Sequence, residues 1–366
     1  MKARALTLMS TRSQDQDLVV EAVSKLRPYS GPEEKDQSHK IMPCFGWHPW
    51  FSYQLYDDTE DDSKSPPSPI EHYESVLQPK CTDQAFIDTL PNPRSLRRFL
   101  QETESRLLSH PHSLIGEVGL DRSFRLPIAW TESEKQQRNE AYTEGSREGR
   151  PLSPYHVHLS HQKSILKAQL RLAGKHGRSV SIHSVQGHGA VFEVLQELWK
   201  GHERHVPTKR ERKRQKADPG SHHTADNSLQ PSQTNTSYPP PPLPYPPRIC
   251  LHSYSGPLDP LHQFLNPTVP AQIYFSFSRV INYPDPQKPN PKVEAVLKDL
   301  PENRILVESD YHSAGPETDE LLEWIVRKVC EIREWDTKKG VEILARNWKE
   351  FVFGNEVNAG SMESNA

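Results

Sequence analysis

The chain has 366 residues, a formal charge of −3, 34% hydrophobic residues, 34 prolines and four cysteines, a length that suits about two domains or one α/β barrel of roughly 250 residues with long insertions. The charge argues against a broad basic nucleic-acid face, although metal ions could still hold phosphate, and cysteines without a C-x-x-C pair indicate neither a zinc knuckle nor a disulfide framework. The N-terminal apolar run is too short for a signal peptide and no stretch approaches the ~18 apolar residues of a membrane span, so a soluble protein of the cytoplasm or nucleus, without a membrane partner, is expected.

In chain order, "ALTLMS" reads as a strand, and Leu18, Val19, Ala22, Val23 and Leu26 recur at helical spacing behind it. "IMPCFGWHPW" is a second strand that Pro49 ends. From about 52 to 80 the chain turns acidic and Pro/Ser-rich, which predicts a surface insertion without a packed core. A helix bearing Leu96, Phe99, Leu100 and Leu107 leads into "SLIGEVGLD", the third strand, and a charged insertion covers about 122 to 158. Ile165, Leu166, Gln169, Leu170 and Ala173 form the next helical stripe, capped near Gly177 before the strand "SVSIHSV" and the helix "GAVFEVLQELW". Residues 202 to 247 break the pattern with the basic run Lys209 to Lys216 and "PPPPLPYPP", predicting disorder or polyproline II. The strands "RICLHSYSG", "AQIYFSFS" and "RILVESDYH" follow, with a helix "KVEAVLKDL" between the last two. Two helices, around Leu321 to Trp335 and Val341 to Phe351, complete the pattern, and 356 to 366 read as a disordered tail.

Seven strands alternating with helices predict a parallel sheet buried on both faces, either doubly wound or a barrel. His48, Glu117, His183, His252 and Asp310 each fall at or near the C-terminal end of a different strand. A (β/α)8 barrel brings those ends to one rim, whereas an open sheet spreads them along an edge, so the barrel is favoured. Histidine, glutamate and aspartate from several strand ends are ligand types for a divalent ion such as Zn²⁺, Mn²⁺ or Mg²⁺. A metal also removes the desolvation cost of burying Glu117 between apolar neighbours.

"GWHP", "IGEVGLD", the segment "HQKSILKAQLRLAGKHGRSVSIHS", "CLHSYSG", "YFSFS", "ILVESD" and "RNWKEFVFG" occur in the order and rough spacing of TatD-type metal-dependent deoxyribonucleases, amidohydrolase-like barrels, which the chain resembles outside its three insertions. With those insertions it looks most like the fungal branch, whose members are described as interacting with a tetratricopeptide-repeat subunit of the anaphase-promoting complex. The resemblance implies one barrel domain over 1 to 355 and hydrolysis of DNA or another phosphodiester by a metal-activated water. It implies that Glu117 bridges two metals, that His183 and His252 complete the second metal's shell, and that Asp310 binds the first metal and orients or deprotonates the water. By the same resemblance His48 sits beside the site, and Asp121 turns a ligand or caps the following turn.

Family members begin with a strand ending in His-x-His that supplies two ligands of the first metal, and no such pair precedes Gly46, the earliest histidine being His39. The expectation is an α/β, TIM-like barrel lacking its first strand, with disordered insertions, and about one bound ion where the family has two. The competing expectation is a non-catalytic interaction protein that keeps the barrel and binds a partner through its insertions. Its support is the Pro-rich tract, which suits SH3 or WW domains, and the basic run, which suits nuclear import.

Overall fold

All seven apolar runs become parallel strands of one sheet: β1 (Ala5–Met9), β2 (Lys40–Phe45), β3 (Leu114–Asp121), β4 (Val180–Val185), β5 (Arg248–Leu251), β6 (Gln272–Ser278) and β7 (Ile305–Glu308). The computed structural model describes residues 3–26, 40–60, 65–137, 149–208 and 241–354. The main helices are α1 (Ser13–Leu26), α2 (Pro69–Val76), α3 (Leu96–Ser109), α4 (Leu159–Lys175), α5 (His188–Trp199), α6 (Leu258–Phe264), α7 (Pro291–Asp299), α8 (Pro316–Arg333) and α9 (Thr337–Phe353).

Spatial order equals sequence order from β1 to β7. A doubly wound sheet would reverse direction at a switch point, so this is the winding of a barrel. The alternation of side chains along each strand sorts the apolar residues into two layers. Ile115, Ile182, Ile249, Leu251, Phe275 and Ile305 join the large cluster that the helices cover. Met42, Cys44, Leu114, Cys250, Tyr274 and Leu306 face the other way and meet in a second cluster closed by Phe351, Val352 and Phe353 of α9. Residues of β2 and β7 share that cluster although the strands are not neighbours, which requires the sheet to curl.

Strands β1 and β7 are the two ends of the sheet, as expected of a barrel with one strand missing. The C-terminal helices contact β1 at its free end: Ala3 N–H donates to Asp319 Oδ1 of α8 at 3.2 Å, and Trp348 Nε1 of α9 donates to Thr7 Oγ1 at 3.3 Å. No helix among the described residues is long and apolar enough to cross a membrane. The four cysteines are free and buried.

The insertions differ from the compositional expectation. Segment 52–80 contains α2, begun by a capping box in which Ser68 and Glu71 bond reciprocally. Its Tyr73, Val76 and Leu77 pack with Cys81, Phe86, Ile87, Leu126 and Val157 in a satellite core. Leu77 and Gln78 pair antiparallel with Val157 and His156, so the first two insertions are built against each other. The acidic, proline-rich character belongs to the stretch before Ser68, and averaging over the whole segment hid the capping signal. At the third insertion, Tyr245 is buried and the chain returns so close to α4 that a Cβ on Gly174 would lie 2.4 Å from the Leu243 carbonyl oxygen. The basic run Lys209 to Lys216, the first prolines of "PPPPLPYPP" and the tail from 356 lie outside the described residues.

Candidate metal centre

Strand β3 carries the central group. Leu114, Ile115, Val118 and Leu120 are buried, and Glu117 stands among them with 13% of its side chain exposed. A Cβ on Gly119 (φ +151°) would lie 2.0 Å from the His183 carbonyl oxygen, and one on Gly46 would lie 2.8 Å from the Gly116 carbonyl carbon. Bare backbone at these positions lets β4 and the end of β2 close onto β3. That is the local reason for "IGEVGLD": the glycines admit the neighbouring strands that deliver histidines to the carboxylate.

Three imidazoles converge on one oxygen, Glu117 Oε1: His183 Nδ1 at 3.0 Å, His48 Nε2 at 3.4 Å and His252 Nε2 at 3.6 Å. Asp310, two residues beyond β7, places Oδ1 3.2 Å from His252 Nε2 and adopts φ +49°. Glutamines of α4 hold the surrounding backbone. Gln169 bonds both N–H and C=O of Trp47, and Gln162 does the same for Asp121.

The outer ring nitrogens decide what each histidine can do. Asp121 Oδ2, 3.1 Å from His183 Nε2, can only accept, so Nε2 carries a proton. Glu308 Oε2 lies 2.8 Å from His252 Nδ1 but makes no hydrogen bond to it, and the hydrogen bond of that ring runs from Nε2 to Asp310 Oδ1 at 3.2 Å. His183 therefore turns toward Glu117 a nitrogen that becomes a lone pair once its second proton leaves, which is the carboxylate–histidine arrangement of a metal ligand. His48 is wired oppositely. Its Nδ1 accepts the Trp50 N–H at 3.2 Å, so the neutral ring is protonated at Nε2 and donates toward Glu117. His48, Glu117 and His183 form a group whose ligand atoms lie within 4.8 Å of one another and which could hold a metal. His252 lies next to that group, its Nε2 3.6 Å from Glu117 Oε1.

The electrostatics agree. Burial pushes Glu117 up, but His252, His48 and His183 hold it well below the usual carboxylate range. Burial pushes His183 down, yet hydrogen bonds to Asp121 and Glu117 raise it to about 9. Against its own burial, His252 is raised well above its ordinary value by Glu117, Glu308 and Asp310. His48 is lowered, chiefly by burial, and stays neutral. Protons thus occupy the inner faces of His183 and His252, where a cation would replace them. The donor set fits one ion.

The structure brings together every residue singled out in the sequence: Glu117, His183, His252, Asp310, His48 and Asp121. It adds Glu308, Trp50 and Ser253. Glu308 is the last residue of β7 and precedes Asp310 by two positions in "ILVESD". Trp50 Nε1 donates to Asp121 Oδ2 at 2.7 Å, and Ser253 Oγ donates to Glu308 Oε1 at 2.7 Å.

Residues 27–353 match the family model described as TatD related DNase. The chain is 34% identical over 348 residues to Cut9-interacting protein scn1 of Schizosaccharomyces pombe, covering 95% of this chain and 91% of that protein. It is 27% identical over 307 residues to an uncharacterized deoxyribonuclease of Saccharomyces cerevisiae, covering 81% and 75% respectively. Among solved structures, an uncharacterized amidohydrolase from Saccharomyces cerevisiae superposes with a TM-score of 0.53 at 14% identity, over 95% of this chain and 88% of that one. That likeness concerns the fold.

Proposed function

Since the chain belongs to the TatD-related DNase family, we propose that it is a metal-dependent phosphodiesterase acting on DNA, with one divalent cation held by Glu117, His183 and His252. The observation that carries this reading is the convergence of three imidazole nitrogens on Glu117 Oε1, with Asp121 bonded to the outer nitrogen of His183 and the His48 ring wired the other way. A mixed imidazole and carboxylate set suits Mn²⁺ or Zn²⁺ better than Mg²⁺, which prefers oxygen. Bound there, the cation would supply Lewis acidity, polarising a phosphoryl oxygen and lowering the pKa of water.

The chain's own groups do the rest. Asp310 has the most exposed side chain of the set, 26% against 7% for His252 and 13% for Glu117, so it is the carboxylate that an incoming water reaches. It accepts the water's proton as general base. His252 Nε2, 3.2 Å from Asp310 Oδ1, steadies that carboxylate. His48 donates through Nε2–H to Glu117 and keeps it ionised. Trp50 locks Asp121, and Asp121 fixes the tautomer of His183.

The test is hydrolysis of a DNA oligonucleotide and of bis(4-nitrophenyl) phosphate by metal-stripped protein resupplied with Mn²⁺, Zn²⁺ or Mg²⁺. Cleavage that a chelator abolishes supports the reading; no cleavage of either substrate with any of the three ions overturns it. A second reading, a protein-binding role, is favoured by one observation: the 34% identical relative is named for its interaction with Cut9. A partner with tetratricopeptide repeats belongs to that reading, and a chain that binds such a partner while hydrolysing nothing would establish it over the first.

A further inference from the structure

Trp50 holds two of the three imidazoles at once. Its backbone N–H donates to His48 Nδ1 at 3.2 Å, and its ring Nε1 donates at 2.7 Å to Asp121 Oδ2, which lies 3.1 Å from His183 Nε2. The indole also stands roughly perpendicular to both rings, with centroids 4.9 Å from His48 and 6.0 Å from His183. A displacement of this one residue therefore moves both histidines, and whatever fixes Trp50 fixes the nitrogens presented to Glu117.

Trp50 lies in the short turn Pro49–Gln54, and three groups outside the turn hold it. Phe124 stacks on the indole at 4.9 Å and 13°. His72 Nε2 lies 2.7 Å from the Tyr53 carbonyl oxygen and His161 Nε2 lies 3.0 Å from that of Ser52; a carbonyl only accepts, so both rings donate. His161 belongs to α4, but His72 and Phe124 belong to the first and second insertions. We infer that His72 and Phe124 are positioning residues for the metal centre: the two insertions brace Trp50 and, through Asp121, orient the metal-facing Nδ1 of His183.

The brace is a packed unit of its own. Phe124 N–H donates to Asp121 Oδ1 at 2.9 Å, and the Phe124 carbonyl oxygen meets His156 Nδ1 at 3.2 Å. His156 stands opposite Gln78 in the antiparallel pair that joins the insertions. His72 is 3% exposed and belongs to α2, whose Tyr73 and Val76 enter the satellite core. The two insertions thus grip one turn from two sides while bonded to each other. A stacked aromatic pair is held by more than the area it buries. An aliphatic side chain at 124 would fill space without offering a flat face, so the indole could turn and Nε1 would leave Asp121.

The inference rests on the metal centre of the phosphodiesterase reading, and its test reads metal affinity rather than turnover. Metal-free full-length protein is titrated calorimetrically with Mn²⁺ and with Zn²⁺. Phe124→Leu should weaken binding about tenfold, the lower end of what losing an outer partner of a metal-binding histidine costs, whereas Phe124→Tyr, which keeps the stack, should bind as the parent does. His72→Leu should weaken binding likewise, and His72→Gln, whose amide can still donate to Tyr53, should recover most of the loss. In a Trp50→Phe background, which already lacks the donor to Asp121, Phe124→Leu should add less than about a twofold change, because both substitutions break the same link. Parental affinity in Phe124→Leu and His72→Leu, failure of the two conservative variants to restore binding, or the full tenfold cost repeated in the Trp50→Phe background would each overturn the inference. Chelator-sensitive cleavage of a phosphodiester alongside any of these results would leave the phosphodiesterase reading standing, while a parent that binds neither ion would overturn both.

Discussion

Asp121→Asn changes one atom type and leaves the volume unchanged, yet the geometry allows the amide no acceptable orientation. Asp121 Oδ2 accepts from His183 Nε2 and Trp50 Nε1, while Oδ1 accepts from Ser123 N, Ser123 Oγ and Phe124 N. If the amide nitrogen replaces Oδ2, it faces two donors. Trp50 then loses its acceptor, and His183 is driven to the tautomer protonated at Nδ1, which removes the lone pair aimed at Glu117. If the amide flips, the three donors at Ser123 and Phe124 lose theirs. Ser123 is exposed and its donors can turn to water, but a part-buried donor left unpaired, Trp50 Nε1 in one orientation or Phe124 N–H in the other, costs about 1–3 kcal/mol, so the folded state should lose about 1 kcal/mol in denaturant melts. Loss of an outer partner of a metal-binding histidine typically weakens the metal by about 10- to 100-fold. Calorimetric titration of metal-free protein with Mn²⁺ measures this directly. A folded Asp121→Asn protein that binds Mn²⁺ with parental affinity would refute the reasoning from tautomers.

Metal binding should release protons, because His183 and His252 are both held above their ordinary values before the ion enters. Apparent affinity should rise with pH toward about 9, by up to about tenfold per unit for each proton displaced, as shown by titration heats that vary with the ionisation enthalpy of the buffer. The metal-free protein should show the opposite trend at His183, whose raised value stabilises the fold fully below its ordinary pH range and loses that contribution as pH climbs through about 9; melting temperatures across that range test it. Gly119→Ala should destabilise by about 2 kcal/mol or more, since its Cβ falls 2.0 Å from the His183 carbonyl oxygen, and parental stability in urea would show that β3 and β4 can separate freely. Asp310→Asn should lower cleavage by about 100-fold or more while leaving Mn²⁺ affinity within a few-fold of the parent, which steady-state rates and calorimetry separate.

The strands were legible because each is a short apolar run bounded by turns, and a parallel sheet buries both faces. The winding was legible from where Glu117, His183, His252 and Asp310 fall along those runs. Which nitrogen of each ring faces the carboxylate was not, because that depends on Trp50, Asp121 and Asp310 meeting the rings in three dimensions. Gln162 and Gln169 read as part of a helical stripe, and only the packed structure shows them bonding the backbone at Asp121 and Trp47. The first insertion was misjudged for a compositional reason: the acidic run before Ser68 outweighed the spacing of Tyr73, Val76 and Leu77, which the structure buries.

The central claim is that Glu117 organises a metal centre that cleaves phosphodiesters, and the rate of Glu117→Gln tests it most directly. Glutamine keeps the size and can still meet His48, but it removes the charge on which three imidazoles converge. With saturating Mn²⁺ and a DNA oligonucleotide, the variant should be folded and at least about 1,000-fold slower than the parent, an effect of about 4 kcal/mol on the barrier. A folded Glu117→Gln protein that cleaves as fast as the parent would contradict the account.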